Sequence, residues 1–510
     1  MSLAGVGQPV ILTRMRTTLL AALLTGAALL AAPSVAFSDE VCAEQTASAL
    51  RRGVTFFRTH VAARGGYLWR YAADFSEREG ELPASATTVW VQPLGTPTVG
   101  MAYLGAYELT GDSYYLESAR ETAAAPLRGQ LASGGWDYRI EMASADRKGY
   151  AYRLDLDTLP ASSGKPPTRR NVTTLDDNTT QAALTFLVRV DRAFDFEDAV
   201  LHEAVEFALH SLLSAQYPNG AWPQRFTASP DPEKFPVERA SYPETWSREY
   251  PAKDYRGYYT FNDNTMADVI ELMFLASEVY GERKYAEAGK RGGEFIRLAQ
   301  MPEPQPGWAQ QYDAHMHPAW ARKFEPPAVT GAESQRVMET LLRLFELTRE
   351  RRFLEPLPRA LAYFRGSLLP NGQLARFYEL RTNRPLYFTK DYRLTYSDAD
   401  LPTHYGFKAR SRLEAIRKQL ERHASTVDSD VPVAKAFLRQ RAPELVEGLA
   451  TAAAKVVASQ RDDGAWVESA SFRARSRIPE GMDCLSSHTF HANVLTLARY
   501  VAALRGRRLK

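Results

Sequence analysis

Two short runs of this chain concentrate oxygen donors. One reads Leu175-Asp176-Asp177-Asn178-Thr179-Thr180-Gln181, and the other Phe261-Asn262-Asp263-Asn264-Thr265-Met266. Asp177 and Asp263 stand 86 residues apart, and each run opens a stretch with apolar residues at i, i+3, i+4 spacing. Asp and Asn are good helix N-caps, and one cap accounts for one such residue per helix. Three in succession at both places are more than capping requires. Carboxylate and amide oxygens suit a hard cation, and Ca²⁺ accepts that mixture in irregular geometry. Asp176, Asp177 and Asp263 are therefore candidate metal ligands, with capping as the plainer reading.

A second kind of chemistry is suggested by Arg376-Phe377-Tyr378-Glu379-Leu380-Arg381-Thr382-Asn383-Arg384 and its continuation through Lys390 to Arg393. Alternating apolar residues predict extended structure here. Guanidinium groups hold carboxylates and aromatic rings stack on sugar faces, so the run suits an acidic sugar; a solvated strand is the alternative. Residues 227–258 carry five prolines and read as an insertion able to wall a cleft or simply to cross the surface. His315 and His317 read as a surface-loop pair rather than a ligand set, and His404, His488 and His491 lack metal-ligand spacing. No phosphate loop, dinucleotide fingerprint, nucleophile elbow or zincin motif is present.

The elements that would position these residues repeat. Gln, a Gly-containing turn and Trp recur at Gln130–Trp136, Gln216–Trp222, Gln300–Trp308 and Gln460–Trp466. Trp136, Trp222 and Trp308 are each 86 residues apart. Degenerate copies stand at Gly65–Trp69 and Pro370–Leu374. Helical periodicity follows the turns at 99–109, 180–190, 266–279, 336–347 and 493–504. It precedes them at 47–62, 115–131, 201–215, 285–298, 358–368 and 443–458. About six helix pairs with scarce strand alternation predict an all-α fold. The expected form is an α/α toroid, a helix-pair barrel with long loops and short strands at the active-site end; an open solenoid is the runner-up.

The 510 residues include 25 Tyr, 23 Phe and 8 Trp, enough to exclude extended disorder, and a formal charge of +3 gives no basic excess for nucleic acid. Arg14 and Arg16 precede an apolar run, Leu19 to Ala32, and a small-residue site, Ser34-Val35-Ala36. This predicts a secretory signal peptide over 1–36 and a single toroid domain over 37–510. A secreted or periplasmic protein, free of the membrane after cleavage, is expected. The two cysteines, Cys42 and Cys484, could join the chain ends or remain buried thiols.

Taken together, these segments resemble the pectate lyases of polysaccharide lyase family ten. The resemblance is carried by Val91–Pro97, Gln216–Phe226, Tyr259–Leu272, Gln305–Asp313, Pro318–Glu325 and Arg376–Asp391, within about residues 60–410. Residues 425–510 are read as helices closing the toroid. The resemblance implies Ca²⁺-dependent β-elimination on α-1,4-polygalacturonate by a monomer, giving 4,5-unsaturated products. It assigns Asp176, Asp177 and Asp263 to the metal, and Asn178, Asn264 and Arg322 to substrate. Trp222 and Tyr378 are the rings expected against the sugar. The proton-abstracting base falls on Arg376, Arg384 or Lys390, where many members read Gly-Arg-Asp and this chain reads Thr389-Lys390-Asp391.

Three other readings remain. The chain could act on another uronate polysaccharide, or bind pectin without cleaving it. A terpene cyclase also carries Gln and Trp repeats, but its Asp-x-Asp-Asp acid is approached only by Asp155-Leu156-Asp157-Thr158.

Overall fold

The repeated Gln and Trp act as clips, and the architecture follows from what they hold. In the computed structural model, which describes residues 42–156, 169–424, 437 and 447–508, each repeat indole is buried or nearly so. Each donates Nε1–H to a carbonyl near the end of the preceding helix: Trp136 to Pro126 at 2.7 Å, Trp222 to Leu212 at 2.8 Å, Trp308 to Ile296 at 2.8 Å and Trp466 to Val456 at 3.0 Å. Each Gln donates Nε2–H twice, once across its own turn and once to the next repeat. The second acceptors are the carbonyls of Ala204, Ala288, Pro356 and, for Gln460, Ala49. That last bond joins the final repeat to the first.

The helices are α1 (Ala43–Phe56), α2 (Thr96–Thr110), α3 (Ser113–Gly129), the short α4 (Ser144–Arg147), α5 (Thr179–Ala193), α6 (Ala199–Ser214) and α7 (Thr265–Tyr280). They continue with α8 (Arg283–Leu298), α9 (Gly331–Thr348), α10 (Leu357–Gly366), α11 (Leu413–Ala424), α12 (Glu447–Ala458) and α13 (Ser487–Arg508). Helices α2, α5, α7, α9, α11 and α13 form the inner layer, and α1, α3, α6, α8, α10 and α12 the outer layer. Neighbouring inner helices pack from α2 through α5, α7 and α9 to α11, and α13 packs on both α1 and α2. The chain is an α/α toroid. Tight links turn inner helices into outer ones, with Gly111 and Gly281 left-handed at φ 72° in two of them.

Eleven helices match the periodicity of the sequence; the four-residue α4 and the longer α11 do not. In α11, Glu414, Arg417, Lys418 and Glu421 pair with one another along one face, and only Leu413 and Ile416 are buried. Two apolar anchors are too few to mark a stripe.

Short antiparallel ladders cap one end. A two- to four-residue strand precedes each inner helix and pairs with a neighbouring segment. Residues 88–90 pair with 139–141, 173–174 with 225–226, 259–260 with 311–312, and 328–330 with 377–379. In the first three pairs the partner segment follows a repeat Trp. These ladders fix the entry of the inner helices. The insertion 227–258 joins the same end: Trp320 Nε1 donates to the Ser247 carbonyl at 2.8 Å, and Arg248 pairs with Glu379.

The described residues fall within one compact unit, Val41–Lys510. The expected signal peptide lies outside the described residues, as does most of 425–446. No described helix is long and apolar enough to cross a membrane. Cys42 and Cys484 are both free: Cys42 is exposed at the start of α1, and Cys484 is buried in a strand opposite Ala72.

Trp222, expected against the sugar, is fully buried in the core. This corrects that expectation, since a ring with no accessible face cannot stack on a ligand. Trp222→Ala should lower the unfolding free energy by about 3–5 kcal/mol, the usual loss for a large core aromatic. Urea denaturation checks this, and an unchanged midpoint would refute the clip role. At Gly220, φ is +93° and an added Cβ would lie 2.0 Å from the Arg291 carbonyl oxygen. The turn therefore tolerates no side chain.

Candidate active site

The two Asp/Asn runs fold into single turns at the inner-helix entries, Asp176–Asn178 before α5 and Asn262–Asn264 before α7. Both turns contain two successive left-handed residues: Asp177 and Asn178 at φ 51° and 56°, and Asp263 and Asn264 at φ 48° and 59°. Asp and Asn tolerate this region better than other side chains with a Cβ. Neither Asn178 nor Asn264 makes a side-chain capping bond. Capping therefore does not explain the runs. Because α5 and α7 pack side by side, the turns bring Asp176, Asp177 and Asp263 together, each offering a carboxylate oxygen within 4.8 Å of the others.

Donors hold each of these acids in place. Asp176 accepts from Tyr138 Oη at 2.7 Å, Gln224 Nε2 at 2.9 Å and Arg225 Nη2 at 3.3 Å. Asp177 accepts from Gln92 Nε2 at 3.0 Å, and Gln92 Oε1 accepts in turn from Trp90 Nε1 at 3.0 Å. Asp263 accepts from Asn262. Lost hydration, and then the neighbouring Asp176 charge, push the Asp177 carboxyl up to about 7 and that of Asp263 to about 6. Asp263 reaches solvent along one side, so its crowding by like charge is the firmer cause. A concave set of hard oxygen donors that repel one another fits a divalent cation such as Ca²⁺.

Cations face these acids. Arg322 pairs in bidentate fashion with buried Glu325, through Nε at 2.8 Å and Nη2 at 2.5 Å. Glu325 also accepts from Tyr405 Oη at 2.8 Å. Burial opposes ionisation of Glu325, but the bonds from Arg322 hold its carboxyl below the usual range. Arg376 pairs with buried Glu333 and lies 4.2 Å from the Tyr405 ring centre. The field of Arg322 reaches both Asp177 and Asp263, and that of Arg376 reaches Asp263. Arg376, Asp263 and Asn264 line one cavity of about 430 Å³.

The other sequence candidates lie elsewhere. Arg384 is exposed at the turn end of the 377–388 hairpin, 3.4 Å from the Tyr396 ring centre. Lys390 is exposed and pairs with Asp400 at 3.3 Å. Neither lines the cavity. Tyr378 is buried, donating Oη–H to the Ser367 carbonyl at 2.6 Å. The expectation of a sugar-stacking role is corrected for this ring too, because the sheet covers it.

Sequence reading missed Gln92, Tyr138, Gln224, Arg225, Glu325 and Tyr405. Tyr138, Gln224 and Gln310 each stand two residues after a repeat Trp. Two of them touch Asp176, and Gln310 accepts from Tyr405 at 3.4 Å. That offset was a usable signal.

Carboxyls with raised folded-state pKa keep protons that the unfolded chain has released. The metal-free protein should therefore lose stability as pH rises from about 4 to about 7. Ca²⁺ should raise the melting temperature more at about pH 8 than at about pH 5, and Asp177→Asn should stabilise the chelator-treated protein at the higher pH. Scanning calorimetry decides this; a melting curve indifferent to Ca²⁺ at both pH values would remove the metal site.

A family model described as pectic acid lyase matches residues 130–373. No curated protein matches the chain. Among solved structures, a point mutant of a family 10 polysaccharide lyase from Cellvibrio cellulosa, in complex with trigalacturonic acid, is 20% identical. It covers 64% of this chain and 99% of its own, with a TM-score of 0.42. Another structure of the family 10 lyase from that organism is also 20% identical, over 62% of this chain and 97% of its own, with a TM-score of 0.42. A glycoside hydrolase family 76 mannosidase from Bacteroides thetaiotaomicron is 10% identical over 91% of this chain and 99% of its own, with a TM-score of 0.42.

Proposed function

Because residues 130–373 belong to the pectic acid lyase family, a family of polysaccharide lyases, we propose that this enzyme cleaves α-1,4-polygalacturonate by Ca²⁺-dependent β-elimination. One observation carries the reading. Asp176, Asp177 and Asp263 converge at the entry of two inner helices, within the field of Arg322 and Arg376.

The hydrogen at C5 of a galacturonate lies next to a carboxylate and is weakly acidic. Elimination removes it as a proton, forms the C4–C5 double bond, and expels the C4 oxygen, which takes up a proton. A cation held by Asp176, Asp177 and Asp263 would supply electrostatic stabilisation of the negative charge that develops on the carboxylate. Tyr138, Gln224 and Arg225 orient Asp176, and Gln92 orients Asp177. Asn178 and Asn264, whose amides make no capping bond at the helix starts, would meet the uronate. Arg322 and Arg376 divide the remaining work: one, as guanidinium, neutralises the uronate, and the other, after giving up a proton to solvent, accepts the C5 proton as neutral guanidine and returns to guanidinium. Glu325 and Glu333 fix both guanidinium planes. Export through the 1–36 leader belongs to the same proposal, since the substrate is a polymer outside the cell.

The conjugated product absorbs in the near ultraviolet, whereas a hydrolytic product does not. Absorbance on polygalacturonate should rise with Ca²⁺ and stop with chelator; no signal at any pH would overturn the lyase reading. Arg322→Lys and Arg376→Lys should each lower kcat, the base by about 10²–10⁴-fold, with a shifted pH–rate profile for the base alone. An equal loss in Arg384→Ala or Lys390→Ala would return the base to the hairpin.

A further inference from the structure

The cavity lined by Asp263 and Arg376 is also lined by three more arginines: Arg336 on α9, and Arg410 and Arg412 at the entry of α11. Their charges are not balanced alike. Arg376 is paired with Glu333, and Arg412 with Glu339 at 3.0 Å. The exposed side chains of Arg336 and Arg410 make no hydrogen bond or ion pair among the described residues. The field of Arg336 reaches Asp268, on α7. Burial pushes that group up to about 7 despite Arg336, so it is only partly ionised at neutral pH and balances the guanidinium weakly.

Uncompensated cations within a concave site favour an anionic ligand. Guanidinium forks match a carboxylate better than a point charge does. A polyuronate carries one carboxylate on every sugar, so a chain with one carboxylate at the acid cluster presents another farther along the same cavity. We propose that Arg336 and Arg410 form a second carboxylate subsite, which grips a neighbouring uronate of the same chain and requires that sugar to be free of methyl ester.

The inference rests on the uronate reading above and deepens it. It gives the enzyme a reason to prefer de-esterified polymer that is independent of the metal, because an ester removes the charge that the two arginines bind. Neither residue touches the acids or the groups assigned to proton transfer, so their loss should appear in binding rather than in the chemical step.

The test is Arg336→Gln/Arg410→Gln, with each single variant as a control for folding, since both side chains are exposed. On polygalacturonate the double variant should raise KM at least tenfold and leave kcat within about threefold, the pattern of lost uniform binding. The preference of the wild type for de-esterified over partly methyl-esterified polymer should shrink in parallel. An unchanged KM with unchanged ester preference would overturn the subsite while leaving the lyase reading intact. If the wild type forms no unsaturated product, titration calorimetry with trigalacturonate in chelator takes over. Binding that the double variant loses still supports the subsite, whereas equal binding, or none by the wild type, overturns it.

Discussion

The architecture depends on a glutamine side chain that bonds two repeats at once. Nε2 of Gln130, Gln216, Gln300 and Gln460 spans its own turn and reaches a carbonyl at the next outer helix. In three of the four, Oε1 accepts from an arginine of that next repeat: Arg291, Arg359 or Arg52. The glutamine thereby ties each turn to the outer helix of the next repeat. A carbonyl in the last turn of a helix has no partner within the helix, and a buried one left unpaired is costly. The adjacent Trp answers that need: its indole bonds a last-turn carbonyl of the preceding outer helix and adds apolar burial. Gln460 meeting Ala49 closes the ring without a covalent link between the chain ends.

The position of the chemistry follows from this geometry. Each repeat delivers its inner-helix entry to one end, where two- to four-residue ladders lock the incoming strand. Residues at equal offsets in successive repeats then become neighbours. Asp177 and Asp263 share an offset of this kind, as do Tyr138 and Gln224, so a set of like donors arises where two repeats abut. The toroid supplies the periodicity, and function enters through the residues that depart from it.

Charge is distributed in two regimes. The acids are crowded and partly dehydrated, which favours a bound cation. The arginines facing them are of two kinds, those fixed by buried glutamates and those left open. Glu325 and Glu333 hold Arg322 and Arg376 in one orientation, while Arg336 and Arg410 remain open to a ligand. Such a cleft suits a polyanion that bridges its acidic and basic parts.

Composition and periodicity alone determined the helix pairs, their inner and outer roles and the toroid, because apolar spacing reports burial wherever a helix has a full stripe. They did not mark α11, whose burial rests on two side chains. The three aspartates were legible because Asp/Asn runs recur at one spacing. Their supports, Gln92, Tyr138 and Arg225, were not, since single polar residues carry no pattern until the fold shows what they face. Trp222 and Tyr378 looked like ligand rings in sequence and proved to be core, because an aromatic residue type does not say which side of a wall it fills. The basic run was legible as extended structure, but its folding into a hairpin, and whether Arg376, Arg384 or Lys390 meets the acids, was decided by tertiary structure. Pairing of 377–379 with 328–330 sets Arg376 beside the α9 entry and carries Arg384 to the far turn. Strand register is a property of two segments at once, and neither segment's sequence contains it alone.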